Sequence, residues 1–288
     1  MEKKIAVQIQ HDANWKDMLR ITAESGFKCV AMGFGSSKVF EREDWEKEIS
    51  SVGDELAKNG LKCVMTHSPY YDLHCSAEKT DERMEKALLR SMKGTAMLGA
   101  ELTAVHPRSF LIGKKVHRKK SLEYNLKSFS RLGEEIGKYG AVLGIENMPH
   151  FPGLSIPFYS CEVSDHIELV DRLNSESARA VWDLGHSNLM TFFGQLSERP
   201  YNQAEAIAAL GSRIHGTHIH NNDRVRDLHA PPSLGTIDWQ KTLGALKAQG
   251  YGGYLTLEVV YDYRFGIESF IKHLYDCAAK LDEIFRKA

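Results

Sequence analysis

The stretch "HGTHIHNNDRVRDLH", residues 215 to 229, concentrates the side chains that bind divalent metals. It holds four histidines and two aspartates in fifteen positions, and arginine is the only other charged residue there. A solvated face would use lysine and glutamate, and a core would use leucine and valine. Imidazole and carboxylate together are typical of a transition-metal site, most often for zinc or manganese.

Further residues of these two types stand at the ends of short apolar runs. Across six consecutive runs, the residues are His67, His106, Glu146, Asp183, His186, His220, Asp227, His229 and Glu258. A single histidine in such a place is more often structural. An ionised carboxylate inside an apolar run, such as Glu258 in "LTLEVV", is costly unless it is paired or bound to a metal. Nine such residues in a regular series therefore predict metal binding.

The elements that would position these residues alternate along the chain. Eight apolar runs, among them "KIAVQI", "LKCVMTH" and "AVLGIEN", are each followed by a helical pattern, and glycine ends many of the helices. Runs that are apolar throughout are typical of parallel strands buried on both faces. Eight such units predict one (β/α)8 TIM barrel, an α/β domain over residues 1–288. The alternative is an open doubly wound sheet, but no G-x-G-x-x-G turn follows the first run.

In a TIM barrel the carboxyl ends of all strands lie on one face, so the nine residues would converge there. His218 and His220 would share a face of the seventh strand, because side chains alternate with a period of two. Parity alone does not decide which of them is the ligand. We favour His220 because it is nearer the carboxyl end, and we expect His218 to lie behind it or in the core.

Composition limits the classes of partner and compartment. The chain has 288 residues, of which 42% are hydrophobic and 26% charged, and its net charge is −1. The chain lacks the excess of basic residues that would bind a phosphate backbone, so nucleic acid is not the expected partner. The first residues lack a signal-peptide core and no run could span a bilayer, so we expect a cytoplasmic protein without membrane contact. The five scattered cysteines argue against a disulfide framework.

Taken together, the motifs resemble the xylose isomerase-like barrel superfamily. It includes sugar-phosphate isomerases and epimerases, ketose 3-epimerases, inosose dehydratase and endonuclease IV. The segments that carry the resemblance are "GIENMP", "WDLGHSN", "HIHNND", "DLHAPPSLGTIDW" and "LTLEVV", and it covers essentially the whole chain. It implies a divalent-metal-dependent isomerase or epimerase of a sugar, sugar phosphate or polyol. The reaction would proceed by proton transfer through an enediolate.

The resemblance also implies roles for individual residues. From the epimerases it implies four metal ligands: Glu146, Asp183, His220 and Glu258. Glu146 and Glu258 would also be the catalytic acid and base. His186 resembles a substrate-contacting histidine, and we expect His67, His106 and Arg108 to contact the carbohydrate substrate as well.

From endonuclease IV the resemblance implies up to three zinc ions. The ligands of the first would be His67, His106 and Glu146. Those of the second would be Glu146, Asp183, His220 and Glu258. Those of the third would be His186, Asp227 and His229. The cofactor is therefore expected to be one to three ions of manganese or zinc.

Several alternatives stay open. One is a zinc phosphodiesterase like endonuclease IV, although "HDANWKD" stands where that enzyme has a glycine-rich loop. Others are a dehydratase or lyase on the same scaffold and a non-catalytic sugar sensor. Arg224 and Arg226 are either anion ligands or exposed loop cations, and Trp15, Tyr70 and Tyr71 either stack on a sugar or pack the loops. Formation of a homo-oligomer is also left open.

Overall fold

Eight parallel strands close into a barrel in the computed structural model, which describes residues 3–76, 81–194, 202–262 and 266–288. Numbered β1 to β8 here, they are Ile5–Gln10, Cys29–Gly33, Lys62–His67, Leu102–Val105, Val142–Glu146, Ala178–Asp183, Ile214–Ile219 and Leu255–Leu257. Each strand pairs with its sequence neighbours, and β8 pairs with β1 to complete the circle. The predicted TIM barrel is confirmed, and the open sheet is excluded.

Nine α-helices lie in the described part of the chain. Numbered α1 to α9, they are Trp15–Glu24, Trp45–Lys58, Glu82–Met97, Arg118–Gly137, Val163–Leu173, Leu184–Gly194, Gln203–Leu210, Trp239–Ala248 and Ile267–Lys287. Short 3-10 helices span Val39–Glu41 and Gly211–Arg213. None of the helices in these ranges combines the length and apolar character needed to cross a bilayer.

Helix α6 was not predicted from the sequence. It begins at Leu184, directly after β6 ends at Asp183, so no loop separates the two elements. Residues 184–190 are all buried. A helix whose described side chains, polar and apolar alike, are all buried lacks the 3.6-residue alternation of polar and apolar faces that reveals surface helices. Three short strands were also missed: His74–Cys75, Ser109–Ile112 and Lys115–Val116, in the loops after β3 and β4.

The barrel interior is filled in layers. Small or aliphatic side chains such as Ala6, Ala104 and Val181 pack together inside the strands. Gly216 belongs to the same layer, because a Cβ there would lie 2.5 Å from Leu102 Cδ2. Larger side chains such as Trp182 fill the space between strands and helices. The apolar interior therefore stops two residues short of the strand ends.

The next interior layer is polar. Its members stand two positions after residues of the layer below, most of them small or apolar, so their side chains point the same way. The members are Gln8, His67, His106, Glu146, Asp183, His218 and Glu258. The barrel's own geometry thus brings these side chains together at the carboxyl end.

Candidate metal centre

Ten histidine, aspartate and glutamate side chains converge above the apolar layer. We call them the metal-ligand cluster: His67, His106, Glu146, Asp183, His186, His218, His220, Asp227, His229 and Glu258. Six come from the polar layer, and the other four come from α6 and from the end of β7 and its loop. The most exposed side chain of the ten, His229, is only 21% exposed. The cluster is therefore a largely buried polar site.

The first group consists of His67, His106 and Glu146. One oxygen of Glu146 lies 3.0 Å from His67 Nε2 and 3.3 Å from His106 Nε2, and the two nitrogens are 3.1 Å apart. Three lone-pair atoms thus form a nearly equilateral triangle. Ligands of a tetrahedral zinc ion with bonds of 2.0–2.1 Å lie about 3.3 Å from one another. This spacing fits three ligands of one ion.

The central group consists of Glu146, Asp183, His218 and Glu258. Nδ1 of His218 lies 2.9 Å from the second oxygen of Glu146 and 3.2 Å from Glu258. One ligand atom from each of the four residues lies within 4.8 Å of the other three. Glu146 therefore links the first and central groups through its two oxygens.

The loop group consists of His186, His220, Asp227 and His229. Asp227 lies 3.5 Å from both His186 Nε2 and His229 Nε2 and 4.0 Å from His220 Nε2. His220 Nε2 also lies 3.1 Å from Asp183, which connects this group to the central one. The rings of His220 and His229 are stacked, with centroids 3.8 Å apart.

Backbone carbonyls orient three of the histidines. Nδ1 of His67 lies 2.9 Å from its neighbour's carbonyl oxygen, that of His186 lies 2.8 Å from the carbonyl of Asn147, and that of His229 lies 3.1 Å from the carbonyl of Glu258. A carbonyl only accepts, so each Nδ1 carries the hydrogen. Each Nε2 faces a carboxylate, to which it donates when the ring is protonated, and its lone pair is free for a metal ion when the ring is neutral. A hydrogen bond from the other ring nitrogen to a carbonyl is typical of histidines that bind metal.

The carboxylates of the centre are ionised. Burial raises the pKa of Glu146, but the charge of His218 and hydrogen bonds from His106, His218 and His67 outweigh burial and hold this pKa well below its usual value. Burial likewise opposes ionisation of Asp183, but nearby His186 and His220 lower its pKa to about 2. The pKa of Glu258 is lowered despite burial, chiefly by His218.

Two of the histidines respond in the opposite sense. Burial disfavours their charged forms, yet neighbouring carboxylates raise the pKa of His218 and of His229 to about 9. The centre therefore concentrates negative charge that must be balanced by cations. Protons on imidazole provide one source, and a divalent ion provides another.

Unpartnered buried atoms test whether the centre fits a metal. Oδ2 of Asp183, Nε2 of His220 and Oδ1 of Asp227 are buried without a hydrogen-bond partner. Such atoms are rare and costly in a folded protein. All three belong to residues whose other contacts are imidazoles and carboxylates, the ligands that zinc and manganese accept. The residues therefore fit divalent metal ions.

The structure brings together all nine residues that the sequence singled out. The difference lies in strand β7, where His218 and not His220 contacts Glu146 and Glu258. His218 pairs in register with Asp183 on β6, so the two side chains lie in one layer. His220 lies beyond the end of β7, one layer higher, and is grouped with Asp227 and His229.

The arginines singled out in the sequence do not enter the cluster. Arg108 donates 2.7 Å hydrogen bonds to the Tyr124 hydroxyl and to the carbonyl of Asp72, which tie it to the neighbouring loop and helix. Arg224 and Arg226 form hydrogen bonds with side chains of their own loop. Substrate binding by Arg108 stays a prediction that these contacts do not favour.

Two amides that the sequence analysis missed support the centre. Gln8 Nε2 donates a 2.7 Å hydrogen bond to Glu258 Oε1. Asn147 accepts from the backbone N–H of Asp183 at 2.6 Å and donates to its carbonyl. Gln8 is the polar residue in "KIAVQI", where the pattern calls for an apolar one. This polar residue in an apolar run is the feature of the sequence from which Gln8 could have been predicted as a site residue.

Not every cavity is near this chemistry. A cavity of about 410 Å³ opens at the amino end of the barrel, where Lys62, Glu101 and His215 line it. None of the cluster residues reaches it. In TIM-barrel enzymes the carboxyl face carries the active site, so we assign function to the cluster.

Comparisons with known sequences agree with this architecture. Residues 19–277 match the family described as xylose isomerase-like TIM barrel. An uncharacterised protein of Methanocaldococcus jannaschii is 26% identical over 199 residues, which cover 68% of this chain. The match spans 64% of that relative, which is less than two thirds of its length.

Comparisons with solved structures give sugar epimerases. A D-tagatose 3-epimerase-like protein aligns over 99% of both chains with 20% identity and a TM-score of 0.74. The 3-keto-D-glucoside 4-epimerase of E. coli aligns over 96% of this chain and 100% of its own, with 16% identity and a TM-score of 0.73. At these identities the likeness shows a shared fold.

Proposed function

The chain belongs to the xylose isomerase-like TIM barrel family, and we propose that it is a divalent-metal-dependent isomerase or epimerase of a sugar, sugar phosphate or polyol. The fold alone does not fix a reaction, because one barrel hosts many chemistries. Support comes from the site and from the names of the structural neighbours, which are sugar epimerases. The expected substrate is a small carbohydrate.

One observation carries the proposal: two glutamates converge on one histidine inside a metal-binding group. Glu146 and Glu258 lie 2.9 Å and 3.2 Å from the same nitrogen of His218, beside Asp183. We assign these four residues as ligands of the catalytic ion, with His218 in the place that the resemblance to the epimerases assigned to His220. A divalent ion held there would polarise a substrate carbonyl and make the adjacent C–H group more acidic.

The protein groups would then move the proton. Ionised Glu146 and Glu258 are both available as bases. One takes a proton from the carbon beside the carbonyl, which gives an enediolate of the substrate. The proton that returns to the opposite face or to the adjacent carbon comes from a water molecule, or from the other glutamate after it has taken up a proton from solvent, and the first glutamate then releases its proton to solvent. Gln8 fixes the carboxylate of Glu258 through a 2.7 Å hydrogen bond, so its basic oxygen keeps one direction.

Metal content and a substrate screen test this function. Elemental analysis of the purified protein should find a divalent transition metal. The screen would then offer ketoses, ketose phosphates and inosose in deuterated water. We expect isomerisation or epimerisation of at least one compound, with solvent deuterium incorporated at the reacting carbon. Turnover without incorporation would contradict the proton-transfer mechanism.

A second candidate, a zinc phosphodiesterase, is favoured by the completeness of the first and loop groups. A one-ion epimerase needs only the central group, whereas two more groups could hold further ions. His229→Ala separates the two functions. In a one-ion epimerase the metal content stays constant, and substrate binding or loop order changes. In a multinuclear hydrolase one equivalent of zinc is lost, and phosphodiester cleavage falls with it. Dehydratase or lyase activity would appear in the same screen as loss of water.

A further inference from the structure

Tyr70 separates the metal-ligand cluster from a second cavity. Its ring stacks on His106, with centroids 4.9 Å apart and planes 8° from parallel. It also meets the ring of His67 edge-on at 4.8 Å. Tyr70 is 40% exposed whereas His67 is 1% exposed. The ring therefore covers the first group and faces solvent on another side.

The cavity beyond Tyr70 has a volume of about 520 Å³. The loops after β2 and β3 and the start of α3 line it, with Ser37, Glu41, Tyr71 and Arg83 among the residues. Its size lies within the range of small-molecule sites. The hydroxyl of Tyr71, another lining residue, is buried without a hydrogen-bond partner. The cavity could therefore receive a polar ligand.

Three contacts hold Tyr70 in place. Its backbone N–H donates a 2.7 Å hydrogen bond to the carbonyl of Gly35. Its hydroxyl lies close to Gln10 and Glu258, and burial together with the charge of Glu258 raises its pKa. Gly35 leaves the space that the ring occupies, because a Cβ there would lie 2.1 Å from a ring carbon. Only the hydroxyl contacts and the ring stacking need to break for the side chain to swing away.

We propose that Tyr70 is a gate between this outer cavity and the metal centre, and that a hydroxyl-bearing substrate enters by displacing its ring. The entry of a carbohydrate rests on the proposed function. When the ring swings away, hydroxyl groups of the substrate can take the place of the Tyr70 hydroxyl beside Gln10 and Glu258. The gate itself depends only on the contacts of the ring.

Metal release measures the gate without any assay of activity. The purified metal-bound protein is mixed with excess chelator, and the coloured metal–chelator complex is followed over time. Tyr70→Ala removes the ring. Gly35→Ala keeps tyrosine at position 70, but the added Cβ pushes its ring out of position. Both variants should release metal about tenfold faster or more. Tyr139→Ala is the matched control, because Tyr139 is 41% exposed but lies on the helix side of the barrel.

The outcomes separate the gate from the function. Wild-type release rates in both Tyr70→Ala and Gly35→Ala, with unchanged circular dichroism, would overturn the gate. A purified protein without metal would instead contradict the proposed function. The gate would then be judged in that metal-free protein by the rate at which diethyl pyrocarbonate modifies His67 and His106, read by mass spectrometry. Faster modification in both variants supports the gate, and equal rates overturn it.

Discussion

Glu146 is the residue on which two groups of the cluster depend. One of its oxygens faces His67 and His106, and the other faces His218. Glu258 belongs to the central group alone, where it contacts His218 and accepts a hydrogen bond from Gln8. The two glutamates are thus chemically alike but differ in how many ligands each connects.

This difference predicts distinct losses in two matched variants. Glu146→Gln and Glu258→Gln keep the side-chain shape but cannot take a proton, so each should lose about 10²-fold in turnover or more. Glu146→Gln should also lose more metal, because it weakens both groups. Turnover, solvent-deuterium exchange and metal per chain are the measurements. Glu283→Gln, on the exposed face of α9, is the control. Near-normal turnover in both cluster variants would remove the glutamates from the chemistry.

His166 on α5 is a buried histidine outside the cluster. Its Nδ1 lies 2.7 Å from the Ser160 hydroxyl, its other nitrogen has no partner, and its ring meets Trp182 edge-on. Burial lowers its pKa from 6.5 to about 4. The unfolded chain therefore takes up a proton first as the pH falls. The neutral ring contributes stability that is complete above pH 6.5 and is lost between pH 6.5 and about 4.

A pH series on one variant measures this contribution. At about 1.4 kcal/mol per pH unit, the interval from 6.5 to about 4 limits the effect to roughly 3 kcal/mol. We expect the stability difference between wild type and His166→Gln to shrink by up to this amount from pH 7.5 to 4. Urea unfolding with chelator present gives both curves and keeps metal out of the comparison. Parallel curves would contradict the prediction.

Residue types at strand ends predicted nearly all of the cluster, but the choice within β7 depended on register. Sequence parity placed His218 and His220 on the same face. Only the pairing of β7 with β6 shows that His218 is level with Asp183. Pairing register between strands is not encoded in one strand's pattern. The same limit explains why Gln8 and Asn147 were missed, since their partners lie on other strands.

At the scale of elements, the loop after β7 presents Asp227 and His229 to the cluster. Asn221 and Ala230 form a two-way backbone bridge at its base. The Asn221 side-chain oxygen also accepts from the N–H groups of Asn222, Thr236 and Ile237. His229 has a φ of 44°, a backbone conformation that needs such support. One asparagine thus fixes both ends of the loop.

We therefore predict that Asn221→Ala releases this loop without unfolding the barrel. Hydrogen exchange should rise across residues 222–237 and stay near wild type in β1 to β6. Metal held by the loop group should fall, while the central group keeps its ion. Asn59→Ala, which removes an amide at the end of α2, is the control. Unchanged exchange in the loop would show that Asn221 is not its anchor.

The order of strands and helices was predictable because each apolar run and each amphipathic helix is a local pattern. Helix α6 was not, because its described side chains, polar and apolar alike, are all buried and show no alternation of polar and apolar faces. The short strands at His74–Cys75 and Lys115–Val116 have two residues each, too few for any periodicity. Elements that are very short or lack an amphipathic face are thus the ones that local pattern misses.

At the scale of the whole molecule, the barrel holds three buried carboxylates and one half-buried carboxylate at one end of a closed apolar layer. Glu146, Asp183, Asp227 and Glu258 have few cationic partners other than histidine among the described residues. A ligand that binds only the folded state stabilises it. If the cluster binds divalent metal, the stability of the entire barrel must depend on that metal.

Calorimetry with and without chelator tests this dependence. At metal concentrations a hundredfold above Kd, one bound ion adds about 2.7 kcal/mol, so its removal should lower Tm by about 4–5 °C. Asp183→Asn should narrow the difference in Tm between the protein with metal and the protein with chelator, because it weakens metal binding. Asp171→Asn is the control, since Asp171 is paired with Arg213 away from the centre. Chelator should lower the Tm of this variant as much as it lowers the Tm of the wild type. If chelator lowers the Tm of Asp183→Asn as much as it lowers the Tm of the wild type, the metal that stabilises the barrel is not held by Asp183.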